Sequence, residues 1–276
     1  MPSIFRTSLK IAPARIQNAA WTLAAILAVT ASSPSQAEDK HGWTSISSGT
    51  QYREVFYGSG DDKRRVHQLR FKSQSHQLRL LWAKDSKNKS LSAQDFRQRS
   101  GALAVVNGGY FDRDLSPMGY QRDAKRVVSP TIWREGLFGG VFAIPKGSDL
   151  PAMVMSRDDF IPENYSFAIQ CGPRLVYRSK AMTGIYADPA ARRTAIGVDR
   201  EGRLLLMASD IDGALTFAQT QELLLSTESK GGLTATGVLN LDGGSSTQMS
   251  IHTAKLSKQI IGFARVPVAV GVFPNK

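Results

Sequence analysis

The sequence predicts an α+β fold: a single domain built on a mixed, largely antiparallel β-sheet or sheets, flanked by a few helices. Three observations predict it. Segments of β-branched and apolar residues outnumber those with a helical repeat. Several of them are joined by short polar or glycine-containing turns, which is how hairpins read in a sequence. From residue 38 to residue 276 no shift in composition marks a domain boundary. The chain has 276 residues, 42% of them apolar, enough to bury a core without staples, and its one cysteine cannot form an intrachain disulfide.

The elements follow in order. Residues 38–49 are polar and small and are expected to form a loose arm. Residues 52–57, 66–72 and 77–84 read as strands, the last two joined by the turn Ser73-Gln74-Ser75. Ser92 is a good N-cap with Asp95 three residues on, so a helix is expected through Arg99. Residues 103–106 are a continuous apolar run ending in Asn107-Gly108-Gly109: a buried strand entering a tight loop. Residues 113–135 carry no period and are expected to be a long loop, functional or mobile. Residues 136–144, 153–156 and 165–170 read as strands. Residues 193–198 and 203–208 flank Asp199-Arg200-Glu201-Gly202, a hairpin signal. Thr216 and Gln219 have capping-box spacing and open a helix carrying Leu223, Leu224 and Leu225, which Gly231-Gly232 is expected to end. Residues 237–241 are a second buried strand running into a glycine pair, and residues 266–273 are the last strand.

Ahead of this domain, residues 1–37 have the pattern of a secretory signal peptide. Arg6, Lys10 and Arg15 form a basic start, residues 19–31 are a short apolar run, and Ser35-Gln36-Ala37 offers small residues for cleavage. The expected location is the bacterial periplasm or the extracellular space, with no stable membrane insertion once the leader is removed. Lys+Arg 35 against Asp+Glu 23 gives a net charge of +12; the leader holds three of these cations and no acid, so its removal leaves +9. Such a surface suits anionic envelope polymers. No zinc-finger spacing, ribonucleoprotein-type aromatic motif or basic helix accompanies the charge, so no nucleic acid is expected as a partner.

The two buried strands share a plan. Val105-Val106-Asn107-Gly108-Gly109 and Asn240-Leu241-Asp242-Gly243-Gly244 each run from apolar residues to a glycine pair. Such pairs allow close backbone approach, and their amides can form an anion-binding nest. Asp112 and Asp242 stand just past these strands, and Asp210 and Asp212 just past residues 203–208. Arg174, Arg192 and Arg193 are candidate oxyanion partners, since a guanidinium fork matches phosphate. His41, His67, His76 and His252 lack metal-ligand spacing, Cys171 lacks a histidine partner, and neither a Gly-x-Ser-x-Gly elbow nor a P-loop occurs. No metal or cofactor is expected.

Four segments in order resemble the phosphodiester glycosidase family: VVNGGYFD (105–112), QCGPRLV (170–176), RRTAIGVD (192–199) and LNLDGGSSTQM (239–249). The single-cysteine chain looks like a compact bacterial branch of that family. The resemblance implies hydrolysis of a sugar-1-phosphodiester, on an anionic envelope glycan or a glycolipid, releasing the sugar and leaving a phosphomonoester. It implies a site lined by Asn107, Gly108, Gly109 and Asp112, by Arg174, by Arg193 and Thr194, and by Asp242, Gly243, Gly244, Ser245 and Thr247. Asp242 is expected as base or nucleophile, with Asp112 in reserve. Arg193 and Arg174 are expected on the phosphate, with glycine amides as added donors. The alternatives are a non-catalytic module that binds anionic glycans and an esterase that breaks the P–O bond instead.

Overall fold

The computed structural model describes residues 39–147, 150–186 and 189–275; the expected leader lies outside them. The strands form three sheets. The first has eight strands in the order Thr44–Ser47, Thr50–Tyr57, Arg64–Phe71, Leu204–Ser209, Thr194–Asp199, Ala235–Asn240, Arg174–Tyr177 and Lys180–Ala181. The second runs Val127–Ser129, Gln121–Arg122, Tyr165–Cys171, Gly140–Pro145 and Met153–Ser156. The third runs Ser257–Ile260, Met249–His252, Ala104–Asn107, Val268–Pro274 and His76–Trp82.

Every pairing in these sheets is antiparallel, so the expected mixed sheet is corrected. The two α-helices among the described residues explain why. A helical crossover usually lays two parallel strands side by side. Here Ala93–Ser100 carries the chain from His76–Trp82 to Ala104–Asn107, and Phe217–Leu225 carries it from Leu204–Ser209 to Ala235–Asn240. Each crossover skips one position. The gaps are filled by Val268–Pro274 and Thr194–Asp199, both antiparallel to their neighbours. The result is a mostly antiparallel β protein with two short helices rather than a balanced α+β one.

Strand alternation sets the layers. Leu204, Leu206, Ile196 and Leu239 point inward and share one core with Phe142, Ile169, Val106, Met249 and Val270 of the other two sheets. Leu205, Met207 and Val238 point the other way, onto Leu223 and Leu224 of the second helix. The central strands are therefore covered on both faces, which is why they read as unbroken apolar runs. Both helices begin as their caps predict: Ser92 with Asp95, and Thr216 with Gln219, form complete capping boxes. The second helix stops earlier than expected, at Leu225, and Gly231 instead ends the following turn, Glu228–Lys230.

Two expectations for irregular chain are corrected. Within the expected arm, Thr44–Ser47 is a strand, and Trp43 is fully buried between the guanidiniums of Arg53 (4.3 Å) and Arg70 (4.0 Å). Within residues 113–135, Gln121–Arg122 and Val127–Ser129 pair into the second sheet. Serines and threonines at an edge, and strands of two or three residues, leave too little periodicity to read.

Candidate active site

Asn107 ends its strand in the third sheet and is fully buried. Its Oδ1 accepts from the Thr194 hydroxyl at 2.7 Å and from the Gln248 amide at 3.2 Å. Its Nδ2 donates to the Asp242 carbonyl at 2.8 Å. One side chain thus ties three of the four motifs together, and it needs both a donor and an acceptor to do so. An aspartate there would lack the donor that the Asp242 carbonyl requires.

The segments joined by Asn107 form one wall of a cavity of about 430 Å³. Arg174, Arg193, Asn240, Gly243 and Gly244 line it, with Tyr110 from the first motif. Arg193 is buried and aligned by its surroundings: Nε donates to the Leu215 carbonyl at 2.8 Å, and the guanidinium stacks 4.1 Å from the Phe217 ring centroid. The Arg174 guanidinium lies 5.3 Å from the Tyr177 ring and has no hydrogen bond or ion pair with any described residue. Its stem crosses Gly140, where a Cβ would fall 2.5 Å from Cγ of Arg174. Glycine at 140 therefore makes room for the arginine.

Asp242 sits immediately behind this wall. Its Oδ1 accepts from the Gly243 amide at 2.9 Å, and both this amide and the nearby Ser246 hydroxyl favour the ionised carboxyl. Burial outweighs both and lifts the carboxyl above the usual aspartate range. The Tyr110 hydroxyl, which donates to the Gly172 carbonyl at 2.5 Å, is raised by burial and then by the Cys171 and Asp242 charges. Asp242 is therefore within electrostatic reach of a cavity-lining phenol.

The glycine amides behave differently from expectation. Gly108 donates to the Val268 carbonyl (2.9 Å), Gly243 to Asp242, and Gly244 to the Arg192 carbonyl (2.8 Å). These three amides are spent inside the protein. The glycines serve close packing instead: a Cβ on Gly108 would lie 2.8 Å from the Val268 carbonyl oxygen, and one on Gly243 2.8 Å from that of Arg192.

Residues 100–273 match the family model for phosphodiester glycosidases. The chain belongs to the phosphodiester glycosidase family. Among solved structures it is similar to the catalytic domain of zebrafish N-acetylglucosamine-1-phosphodiester alpha-N-acetylglucosaminidase, auto-inhibited by its pro-peptide. The two are 17% identical, with a TM-score of 0.61, over 84% of this chain and 85% of that one. It is also similar to a hypothetical protein from Synechocystis, at 16% identity and a TM-score of 0.59, over 84% of this chain and 63% of that longer one. At these identities the likeness is one of fold. No curated protein matches the chain.

Within this phosphodiester glycosidase domain, not every expected site residue gathers at the cavity. Asp112 is exposed, accepts the amide of its neighbour Arg113 at 2.6 Å and does not line the cavity. Ser245 is exposed, and Gly108, Gly109, Thr194 and Thr247 lie behind the wall rather than on it. Thr247 is buried, and its Oγ1 has no partner.

Among the lining residues that had no place in the sequence-based site are Asn240 and Tyr110. Asn240 is buried, donates through Nδ2 to the Gly172 carbonyl at 3.1 Å and leaves its own Oδ1 without a partner. The signal was there: Asn240 stands two residues before Asp242, at the strand's end. Tyr110 follows the first glycine pair directly. Beside the cavity, Arg192 donates through Nε to the Asp210 carbonyl, while both its Nη atoms are buried without partners. Among the described residues no group of three or more His, Cys, Asp or Glu side chains could hold a metal ion, and no helix is long and apolar enough to cross a membrane.

Proposed function

We propose that this chain is an exported hydrolase that breaks the glycosidic C–O bond of a sugar-1-phosphodiester. The observation that carries this reading is the junction at Asn107, which brings the Asp242 loop and the Arg193 strand to one cavity that Arg174 also lines. Water adds its oxygen to the anomeric carbon, the bond from that carbon to the bridging oxygen breaks, and the oxygen leaves on a phosphomonoester. A phosphate is a far better leaving group than a sugar alkoxide, because its second pKa lies near 6. The chemistry then depends less on a proton donor than on cations held ready for the departing charge. Arg174 and Arg193 take that part, and Asp242 acts as base toward water or as nucleophile at the anomeric carbon. The raised affinity of its carboxyl for protons suits either role.

The test is incubation of the leaderless protein with a panel of sugar-1-phosphodiesters in ¹⁸O-labelled water. Label in the free sugar is the expected result. Label in the phosphate would show P–O cleavage, and saturable binding without release would make the protein a glycan-binding module; either would overturn the proposal.

A further inference from the structure

The cavity differs sharply from one side to the other. Beyond Arg174, Arg193 and Asn240, its lining is Leu137, Pro173, Met182, Ile185, Tyr186 and Phe217. Among the described lining residues none is acidic, and Thr183 is the one other hydroxyl besides the tyrosines. Two of the apolar side chains are held out at the mouth: Leu137 is 42% exposed and Tyr186 84%. The same segment, Met182 to Tyr186, borders a second hollow of about 520 Å³ on the far side, again against Phe217. The first hollow is a trough that starts at two guanidiniums and leads away over mostly apolar side chains, and the second lies across the same segment. A hydrophilic polymer leaving the site would need polar partners along this exit, and the first hollow supplies only Thr183 and the tyrosine hydroxyls, with Thr216 and Gln221 lying in the second. Contiguous apolar surface beside a cationic pocket fits an amphiphile whose anionic head and oily tail are joined.

Building on the reading given above, we infer that the substrate is a lipid-linked sugar phosphate. The phosphate sits at Arg174 and Arg193, the sugar on the Asn240 and Asp242 side, and an alkyl or prenyl chain runs over Leu137, Met182, Ile185 and Tyr186. Asn240 Oδ1, buried at the inner wall and unpartnered, is the acceptor for a sugar hydroxyl or N–H. The chain esterified to the phosphate is then the part retained in the trough when the sugar departs.

The test is calorimetric binding of straight-chain alkyl phosphates, from methyl to octyl, each kept below its micelle concentration, with glycerol phosphate as the hydrophilic control. Affinity should rise about three- to fourfold for each methylene until the trough is full. Tyr186→Ser, at an exposed position that truncation should not unfold, should shrink the octyl-to-methyl affinity ratio severalfold. Affinity independent of chain length, or glycerol phosphate binding as tightly as octyl phosphate, would overturn the inference. The same octyl and glyceryl groups are then compared as sugar-1-phosphodiesters. Hydrolysis without a chain-length effect would sink the lipid assignment and leave the hydrolase standing. Chain-dependent binding without hydrolysis of any diester would do the reverse.

Discussion

Two arginine-rich regions of this molecule are built on opposite rules. Around Trp43 every guanidinium is matched from within the chain. Arg70 meets Glu228 at 2.5 Å, Arg203 meets Asp199 at 2.5 Å and Glu228 at 3.2 Å, and Arg53 is bonded to Gln68 and to three backbone carbonyls. Beside the cavity, Arg174 has no described partner and Arg192 leaves two nitrogens unsatisfied. An unmatched guanidinium in a half-buried place is costly unless something else arrives to meet it. The contrast teaches that arginines paired with carboxylates inside the chain hold the fold, whereas at the cavity Arg193 is held by the Leu215 carbonyl and Arg174 keeps its guanidinium without a carboxylate.

The sharpest way to break this comparison is Asp242→Asn. Hydrolysis should fall by more than about 10³-fold, measured as released reducing sugar. Near-normal turnover would remove Asp242 from the chemistry. The variant should also melt higher than the parent at pH 7. The carboxyl is raised in the folded state, so ionising it costs stability as pH rises through the folded value, and asparagine has nothing to ionise. Next in size, Arg174→Met keeps the stem across Gly140 and removes the charge. It should cost about 10²-fold in kcat/KM with a nearly unchanged melting temperature.

Arg70→Met is the matching experiment in the other region. It removes the shorter of the two arginine contacts to Glu228, leaving Arg203, and should cost about 2 kcal/mol by denaturant titration, with turnover per folded molecule unchanged. The smallest effect is in pH. Burial alone would raise Glu228, but Arg70 and Arg203 outweigh it and hold the carboxyl below the usual glutamate range. Its contribution is therefore present above the ordinary glutamate pKa and lost as pH falls through the lower folded value, the opposite sign to Asp242. Glu228→Gln should flatten the acid limb of a stability-against-pH curve.

The sequence was most legible where chemistry is local. Met153–Ser156 has the expected bounds, and both capping boxes form at the residues that spell them. It was least legible where a residue's meaning depends on a distant one. Nothing near Trp43 announces that Arg53 and Arg70 will enclose it. The glycine pairs could be found but not their use, because an amide's partner, such as the Val268 carbonyl for Gly108, lies far along the chain. The apolar trough has no motif at all: Leu137, Met182 and Tyr186 come from unrelated segments and acquire a common purpose only in space.

Asn107 carries one further consequence. Its acceptor contact to the Gln248 amide spans 141 positions of chain, and its donor contact to Asp242 spans 135. Contacts of such separation form late, after most of the loop-closure entropy has been met. During synthesis the polypeptide must be made as far as Gln248, with only three of the described strands still to come, before these partners exist together. The junction at Asn107 therefore cannot form in an incomplete copy, and a chain cut short of Gln248 would lack it.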